Sequence, residues 1–240
     1  MNMDIEQFIK KYQINNIKNL ERNDPQFLAL QKSRSSISKK NPDLFLFLVL
    51  QCALVWYQIA WSGELWRDEF WNKISQDRSI LEKLRNKKHS NTNRRYNFLT
   101  TSKYNKRIYN IKTNRLKKFD NILQEKIDLK EYCHDMSSLQ KNIAKTMNSS
   151  KQSKTITFAI KMFGYACEII TKKDTIYPMN ISIPIDSRIK KIYSIQFPNH
   201  KIKDEKIQQY FQKISEKYNI PPLHLDSILR LDYWNNFIKK

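Results

Sequence analysis

Glycine is almost missing: the 240-residue chain has two, Gly63 and Gly164. A Walker loop or a dinucleotide fingerprint needs several glycines close together to bring backbone N–H groups onto phosphate. Both are excluded. Cysteine and histidine are also sparse. Cys52, Cys133 and Cys167 are far apart and odd in number, which argues against a disulfide framework and leaves no CxxC zinc or cluster site. His89, His134, His200 and His224 are scattered without an HExxH, and the adjacent Cys133–His134 pair reads as chance, so no metal or cofactor is expected. Negative charge is the other shortage: 23 Asp and Glu face 44 Lys and Arg, a formal net charge of +21. With 40% apolar and 12% aromatic residues, the excess is not that of a disordered basic tail.

Asp4, Glu6, Lys10 and Lys11 interrupt the N-terminus. It carries no signal-peptide h-region, and the expectation is a cytoplasmic chain. One apolar run, Leu44 to Trp61, is long enough for a short membrane span. Gln51 and Gln58 break it and no second run follows, so it reads as a buried central helix and no membrane partner is expected. Helical periodicity appears over 5–12, 44–61, 64–84, 104–127, 154–171, 187–194, 204–218 and 223–238. Prolines at 25, 42, 178, 184, 198, 221 and 222 punctuate the pattern. Strand signals are few. The class is all-α, one compact unit of two lobes.

Positive charge is concentrated. From Lys83 to Lys118 there are 13 Lys and Arg and no Asp or Glu, with Tyr96, Phe98, Tyr104 and Tyr109 interleaved. Most charge runs are solvated faces. This one lacks the carboxylates that normally pair at i,i+4, so a polyanion is its natural partner, and nucleic acid is the usual polyanion.

The most informative stretch is Ser153–Thr171. At about 100° per residue, Ile156, Ala159, Ile160, Phe163, Ala166, Cys167 and Ile170 form a core face. Lys154, Phe158, Lys161 and Tyr165 fall on the other side, where Glu and Gln would be ordinary. Lys154 follows Ser153, a candidate N-cap. A cation in that first turn opposes the helix dipole, and Lys151 and Lys161 add to the effect. A lysine that must attack as a free amine needs such a setting. Further on, Pro184 forces an extended entry and Asp186 stands where the next helix would be capped. A cap and a fixed, ionised catalytic carboxylate require the same geometry, so both readings of Asp186 stand.

The blocks DPQFLAL (24–30), YQIAWSGELW (57–66), TSKYNKR (101–107), KTITFAIKMFGYA (154–166), IPIDSR (183–188) and PPLHLDS (221–227) resemble the archaeal 8-oxoguanine DNA glycosylases. That family is a divergent branch of the helix-hairpin-helix glycosylases. The resemblance implies a two-lobed helical fold over 1–240 with the site in the interlobe cleft, and a helix-hairpin-helix-like segment over 135–198. It implies Lys154 as Schiff-base nucleophile and Asp186 as catalytic carboxylate. Gln26, Trp66, Phe158, Lys161, Pro184 and Asp226 would line the pocket for an extruded base. Arg230 stands where the family usually has a Trp, and Trp56 where it has a small residue. A guanidinium can also stack on a base. Lys103, Lys106 and Arg107 would hold the DNA backbone.

The expected activity is a monomeric, bifunctional repair enzyme. It excises 8-oxoguanine from double- or single-stranded DNA, nicks the abasic strand by β-elimination, and is nucleoid-associated when bound. A glycosylase for another damaged base, or a non-catalytic nucleic-acid-binding protein, are the alternatives.

Overall fold

The computed structural model describes residues 4–36, 42–60, 63–76, 96–124, 128–198 and 203–238. Its helices run α1 Ile5–Lys10, α2 Ile14–Arg22, α3 Pro25–Ser36, α4 Pro42–Leu54, α5 Gly63–Gln76, α6 Tyr109–Gln124 and α7 Met136–Met147. Then follow α8 Lys154–Thr171, α9 Ser187–Gln196, α10 Asp204–Tyr218, α11 Pro222–Ser227 and a π-helical segment, Ile228–Ile238. Among the described residues there is no strand.

Two helices are buried all round and form the centre. Every residue from Leu44 to Leu54 in α4 is buried, as is every residue from Ile156 to Glu168 in α8. The two pack on each other, and α3 and α7 pack on α8. The apolar run after Pro42 is therefore a core helix. Among the described residues no helix is long and apolar enough to cross a membrane. It stops at Leu54, not at 61: Trp56 and Tyr57 turn back on Ala53 and Val55, and Gln58 takes a positive φ of 46°.

Other expectations also shift. The stretch 104–108 is a turn, and α6 starts at Tyr109. The continuous helix expected over 223–238 is a short α11 continuing into wide π turns. The expected helix over 64–84 is observed to Gln76, and 77–84 lies outside the described residues. The periodicity marks none of α2, α3 and α7. Cys133 and Cys167 form a disulfide with Cα atoms 5.6 Å apart. This corrects the reading from cysteine number, because one bridge plus the buried free thiol of Cys52 is also an odd total.

The buried hydrophobic residues fall into two clusters. The larger gathers α3 to α8 with Tyr177, Ile181 and Leu223. The smaller joins α1 and α2 to Ile183, Ile185, α9, α10, α11 and the π-helical segment. The non-helical stretch from Thr175 to Ile185, with a turn at Met179–Asn180, passes from the first cluster to the second. It lies against α8 because Gly164 has no side chain: the Tyr177 ring occupies the space a Cβ would need. Tyr177 is fixed at three points. Its hydroxyl donates to the Lys161 carbonyl at 2.7 Å, its N–H to His224 Nε2 at 3.3 Å, and its ring lies 4.7 Å from that of His224.

Buried charge pins the N-terminal helices to this centre. Lys18 of α2 contacts Glu21 at 2.8 Å and Glu168 of α8 at 2.5 Å. Arg22 reaches the same Glu168 at 2.8 Å. Glu21 in turn accepts from Ser227 and meets His224 Nδ1, each at 2.8 Å. Burial alone would raise the Glu21 pKa, but His224, Lys18 and Lys161 outweigh it and pull it down to about 2.

Candidate active site

Lys154 is the first residue of α8 and is exposed. Ser153 has the extended backbone of an N-cap, but its side chain makes no capping bond. The turn leading into Lys154 is tied to the 175–185 stretch, because Ser182 Oγ donates to Gln152 Oε1. Gln208 of α10 holds the Gln152 carbonyl at 3.0 Å. Three residues beyond Ile183, Asp186 caps α9: its Oδ1 accepts from the N–H groups of Arg188 and Ile189, both at 3.0 Å. Its other oxygen, Oδ2, is 3.8 Å from Arg230 Nη2. A cap and a carboxylate oxygen turned toward Arg230 thus coexist in one side chain.

The second face of the 154–171 helix is not a solvent face. Phe158 is 8% exposed, Lys161 2% and Tyr165 fully buried. The reason is tertiary: α3 and the C-terminal helices supply partners that lie far away in sequence. Lys161 Nζ meets Asp226 Oδ2 at 2.5 Å. The Tyr165 hydroxyl donates to Asp24 Oδ2 at 3.0 Å, and Asp24 Oδ1 accepts the Gln26 N–H at 2.8 Å. Gln26 is thereby held at the start of α3, half-buried.

Arg230 links the two carboxylates, with Nη1 3.6 Å from Asp226 Oδ2 and Nη2 3.8 Å from Asp186 Oδ2. Burial works against its charge, yet Asp226, Asp186 and Asp24 hold its pKa above the ordinary value. Asp226 Oδ1 is buried and has no hydrogen-bond partner, an acceptor facing the same neighbourhood. Pro184 is buried just before Asp186. Phe158 meets Trp56 edge-on with ring centroids 5.5 Å apart. Trp66 is fully buried, stacked on Phe98 and tilted against Phe70. The structure therefore connects Lys161, Asp226, Arg230 and Asp186 in one chain of contacts, with Phe158 three residues before Lys161 on α8 and Lys154 at the start of the same helix. Trp66 belongs to the aromatic core behind it.

Lys103, Lys106 and Arg107 are all exposed. The turn carrying them is built on Glu69 of α5, whose carboxylate accepts from Ser102 Oγ at 2.6 Å, Lys103 N at 2.8 Å and Tyr104 N at 3.3 Å. Lys112 is fully buried and donates to Asn105. Its burial, with Arg107 nearby, lowers its pKa to about 8. Tyr96, counted among the aromatics of the basic stretch, is instead buried with its hydroxyl on Asp120. Among the described residues no group of His, Cys, Asp and Glu could hold a metal ion.

Comparison with known proteins identifies the family. The AGOG family profile, described as N-glycosylase/DNA lyase, matches residues 6–235. An N-glycosylase/DNA lyase of Methanococcus maripaludis is 38% identical over 215 residues, covering 87% of this chain and 78% of the relative. One from Methanopyrus kandleri is 33% identical over 95% of this chain and 88% of its own length. The crystal structure of the 8-oxoguanosine-complexed Pa-AGOG of Pyrobaculum aerophilum superposes with a TM-score of 0.73. At 20% identity, over 94% of this chain and 84% of that one, it establishes the fold. The class is an all-helical DNA N-glycosylase/lyase. Within it, the chain belongs to the AGOG family.

Proposed function

We propose that the protein excises 8-oxoguanine from DNA and then nicks the abasic strand through a Schiff base on Lys154. A base stacked in a duplex is out of reach, so the nucleotide is extruded between the two hydrophobic clusters. The observation that carries this reading is the Asp186 carboxylate. One oxygen is fixed by two backbone N–H groups, and the other is left toward Arg230 at the end of the Lys161–Asp226 pair.

The extruded base stacks on Phe158, and Gln26 and Asp226 meet its polar edges. The orphan oxygen of Asp226 supports that role, since a buried acceptor without a donor is costly until a ligand N–H fills it. Lys161 and Arg230 lie against its other oxygen, and Pro184 walls the site beside the catalytic carboxylate. Asp186 stabilises positive charge developing on the sugar and takes a proton from Lys154. The freed amine bonds to C1′ as the glycosidic bond breaks, and the bonding pair leaves with the base, which is protonated. Ring opening gives the Schiff base. Loss of the C2′ proton then expels the 3′ phosphate.

Sodium borohydride reduces such an imine to a stable cross-link. Wild-type protein is expected to be trapped on 8-oxoguanine duplexes, and Lys154→Gln to bind them without trapping or nicking. Asp186→Asn can still cap α9, so the fold should survive while base release slows by about 100-fold or more. Trapping by Lys154→Gln but not by Lys161→Gln would move the nucleophile along the helix. Activity confined to a different lesion in a panel would replace 8-oxoguanine as substrate.

A further inference from the structure

Seven buried side-chain nitrogen and oxygen atoms among the described residues lack a hydrogen-bond partner. Four of them are N–H donors on one helix, α5: Trp66 Nε1, Arg67 Nε, Arg67 Nη1 and Trp71 Nε1. Arg67 is the costly one. It is 4% exposed, and no ion pair among the described residues includes it. The three other buried Lys and Arg side chains each have an oxygen partner. Lys18 meets Glu21 and Glu168, Lys112 meets Asn105, and Lys161 meets Asp226. A buried charge left without a counter-charge works against folding. Arg67 does not serve the fold.

Its surroundings place it at the proposed base pocket. The guanidinium lies 5.8 Å from the centroid of the Trp56 ring. That ring is seated on Gly63 at the start of α5, in the space a Cβ would need, and meets Phe158 edge-on at 5.5 Å. A ring face is a weak substitute for an anion. The Cys52 thiol is also within electrostatic reach, but burial raises its pKa against the pull of Arg67, so it stays neutral and supplies no charge. Phe158 is thus joined to two unfinished sets of hydrogen-bonding groups. Through Trp56 it is joined to the free donors of Arg67. One turn along α8, Lys161 holds Asp226, whose Oδ1 is the free acceptor.

We infer that Arg67 is a further catalytic residue, which receives the C8 oxygen of the extruded base and the negative charge that develops there as the base departs. The inference rests on the 8-oxoguanine reading. That base carries N–H donors at N1 and the exocyclic amine, and an oxygen acceptor at its far end on C8. One base therefore completes both sets, its donors on Asp226 and its C8 oxygen on Arg67. As the C1′–N9 bond breaks, its electron pair passes to N9 and spreads through C8 onto that oxygen. Fixed N–H donors on a desolvated cation stabilise this charge most strongly when it has formed, which lowers the barrier. Arg67 gives up no proton, and the departing anion is protonated by solvent. Guanine has C–H at C8 and offers these donors nothing, so the same residue favours the oxidised base.

Arg67→Met keeps an apolar stem and removes the charge. Its single-turnover release of 8-oxoguanine from a duplex should fall about 100-fold, while nicking of a preformed abasic site, where no base leaves, should stay within about twofold of wild type. Its Tm should hold or rise, because the variant removes a charge that the folded protein leaves unpaired. Arg67→Lys keeps the charge without the fork and should fall between the two. Binding without chemistry gives a second readout. Titrated against tryptophan fluorescence, wild type should bind 8-oxo-2′-deoxyguanosine more tightly than 2′-deoxyguanosine, and Arg67→Met should lose that preference. Undiminished base release by Arg67→Met would overturn the inference. A lowered Tm with equal losses on both substrates would also overturn it, by making Arg67 a support of the fold. Both results leave the glycosylase reading standing. Wild-type protein that releases no 8-oxoguanine would instead overturn the reading on which the inference rests.

Discussion

Glu21 shows how a single side chain far from the proposed chemistry sets the conditions under which the fold persists. Its carboxylate is buried, meets Lys18, His224 and Ser227, and has a pKa near 2 against an ordinary 4.5. A carboxylate depressed on folding contributes stability that is fully present above the unfolded value and lost as pH falls through the folded one. The window therefore runs from about pH 4.5 down to about 2, and the contribution is on the order of 3 kcal/mol. Urea unfolding of wild type should weaken steeply across that window. Glu21→Gln should be less stable by a similar amount at pH 7 and should lose most of the acid-dependent slope. Parallel pH profiles would show that other carboxylates carry the effect. Glu21 has no local signature beyond Lys18 three residues before it, because its other partners, His224 and Ser227, lie more than 200 positions away. Residues legible in advance were those with a local signature: Asp186 before a helix and after a proline, Lys154 after a capping-type serine. Arg230 was read as a stacking side chain. The Asp186–Asp226 bridge it makes needs the α9 cap and the π-helical segment side by side, which no local pattern encodes.

Helices with clean periodicity were legible almost to the residue. The reading of 154–171 and 204–218 coincides with α8 and α10. The failures have identifiable causes. In α3 and α7 the apolar positions are diluted by Ser, Gln and Lys, and burial comes from packing on α8. The apolar run at 44–61 carried no glycine or proline to mark where α4 ends, and its end is instead held by the Asn105 and Arg115 side chains on the last carbonyls. Residues 83–95 of the carboxylate-free stretch lie outside the described residues, and Glu69 of α5 and Asp120 of α6 reach its described part. Gly164 is the corresponding point of contact between α8 and the 175–185 stretch. In an open helix, Gly→Ala stabilises by about 1 kcal/mol. Here the new methyl would overlap the Tyr177 ring, which its bonds to Lys161 and His224 prevent from withdrawing. Gly164→Ala should therefore destabilise by about 1–3 kcal/mol in chemical denaturation. A gain in stability would mean that Tyr177 can move aside.

At the scale of the whole molecule, a net charge of +21 and a small set of fixed side chains divide the work of recognition. The distributed charge favours any DNA and gives no means of choosing a lesion. Buried pairs such as Lys161–Asp226 are held apart from salt and solvent, and on the proposed reading they contribute selectivity only once a base is extruded into the site. These two contributions respond differently to ionic strength. Each phosphate neutralised by a surface cation releases counterions, giving a slope of about −0.9 per contact in log affinity against log salt. Replacing exposed Lys103, Lys106 and Arg107 together with Gln should reduce the magnitude of that slope by up to about 3. The reduction should be equal for damaged and undamaged duplexes, because phosphates are common to both. The ratio of the two affinities should be nearly unchanged, and filter binding or anisotropy across a salt series measures both quantities at once. A variant that loses lesion preference while keeping its slope would place these three residues in lesion reading and leave the backbone to other parts of the basic surface.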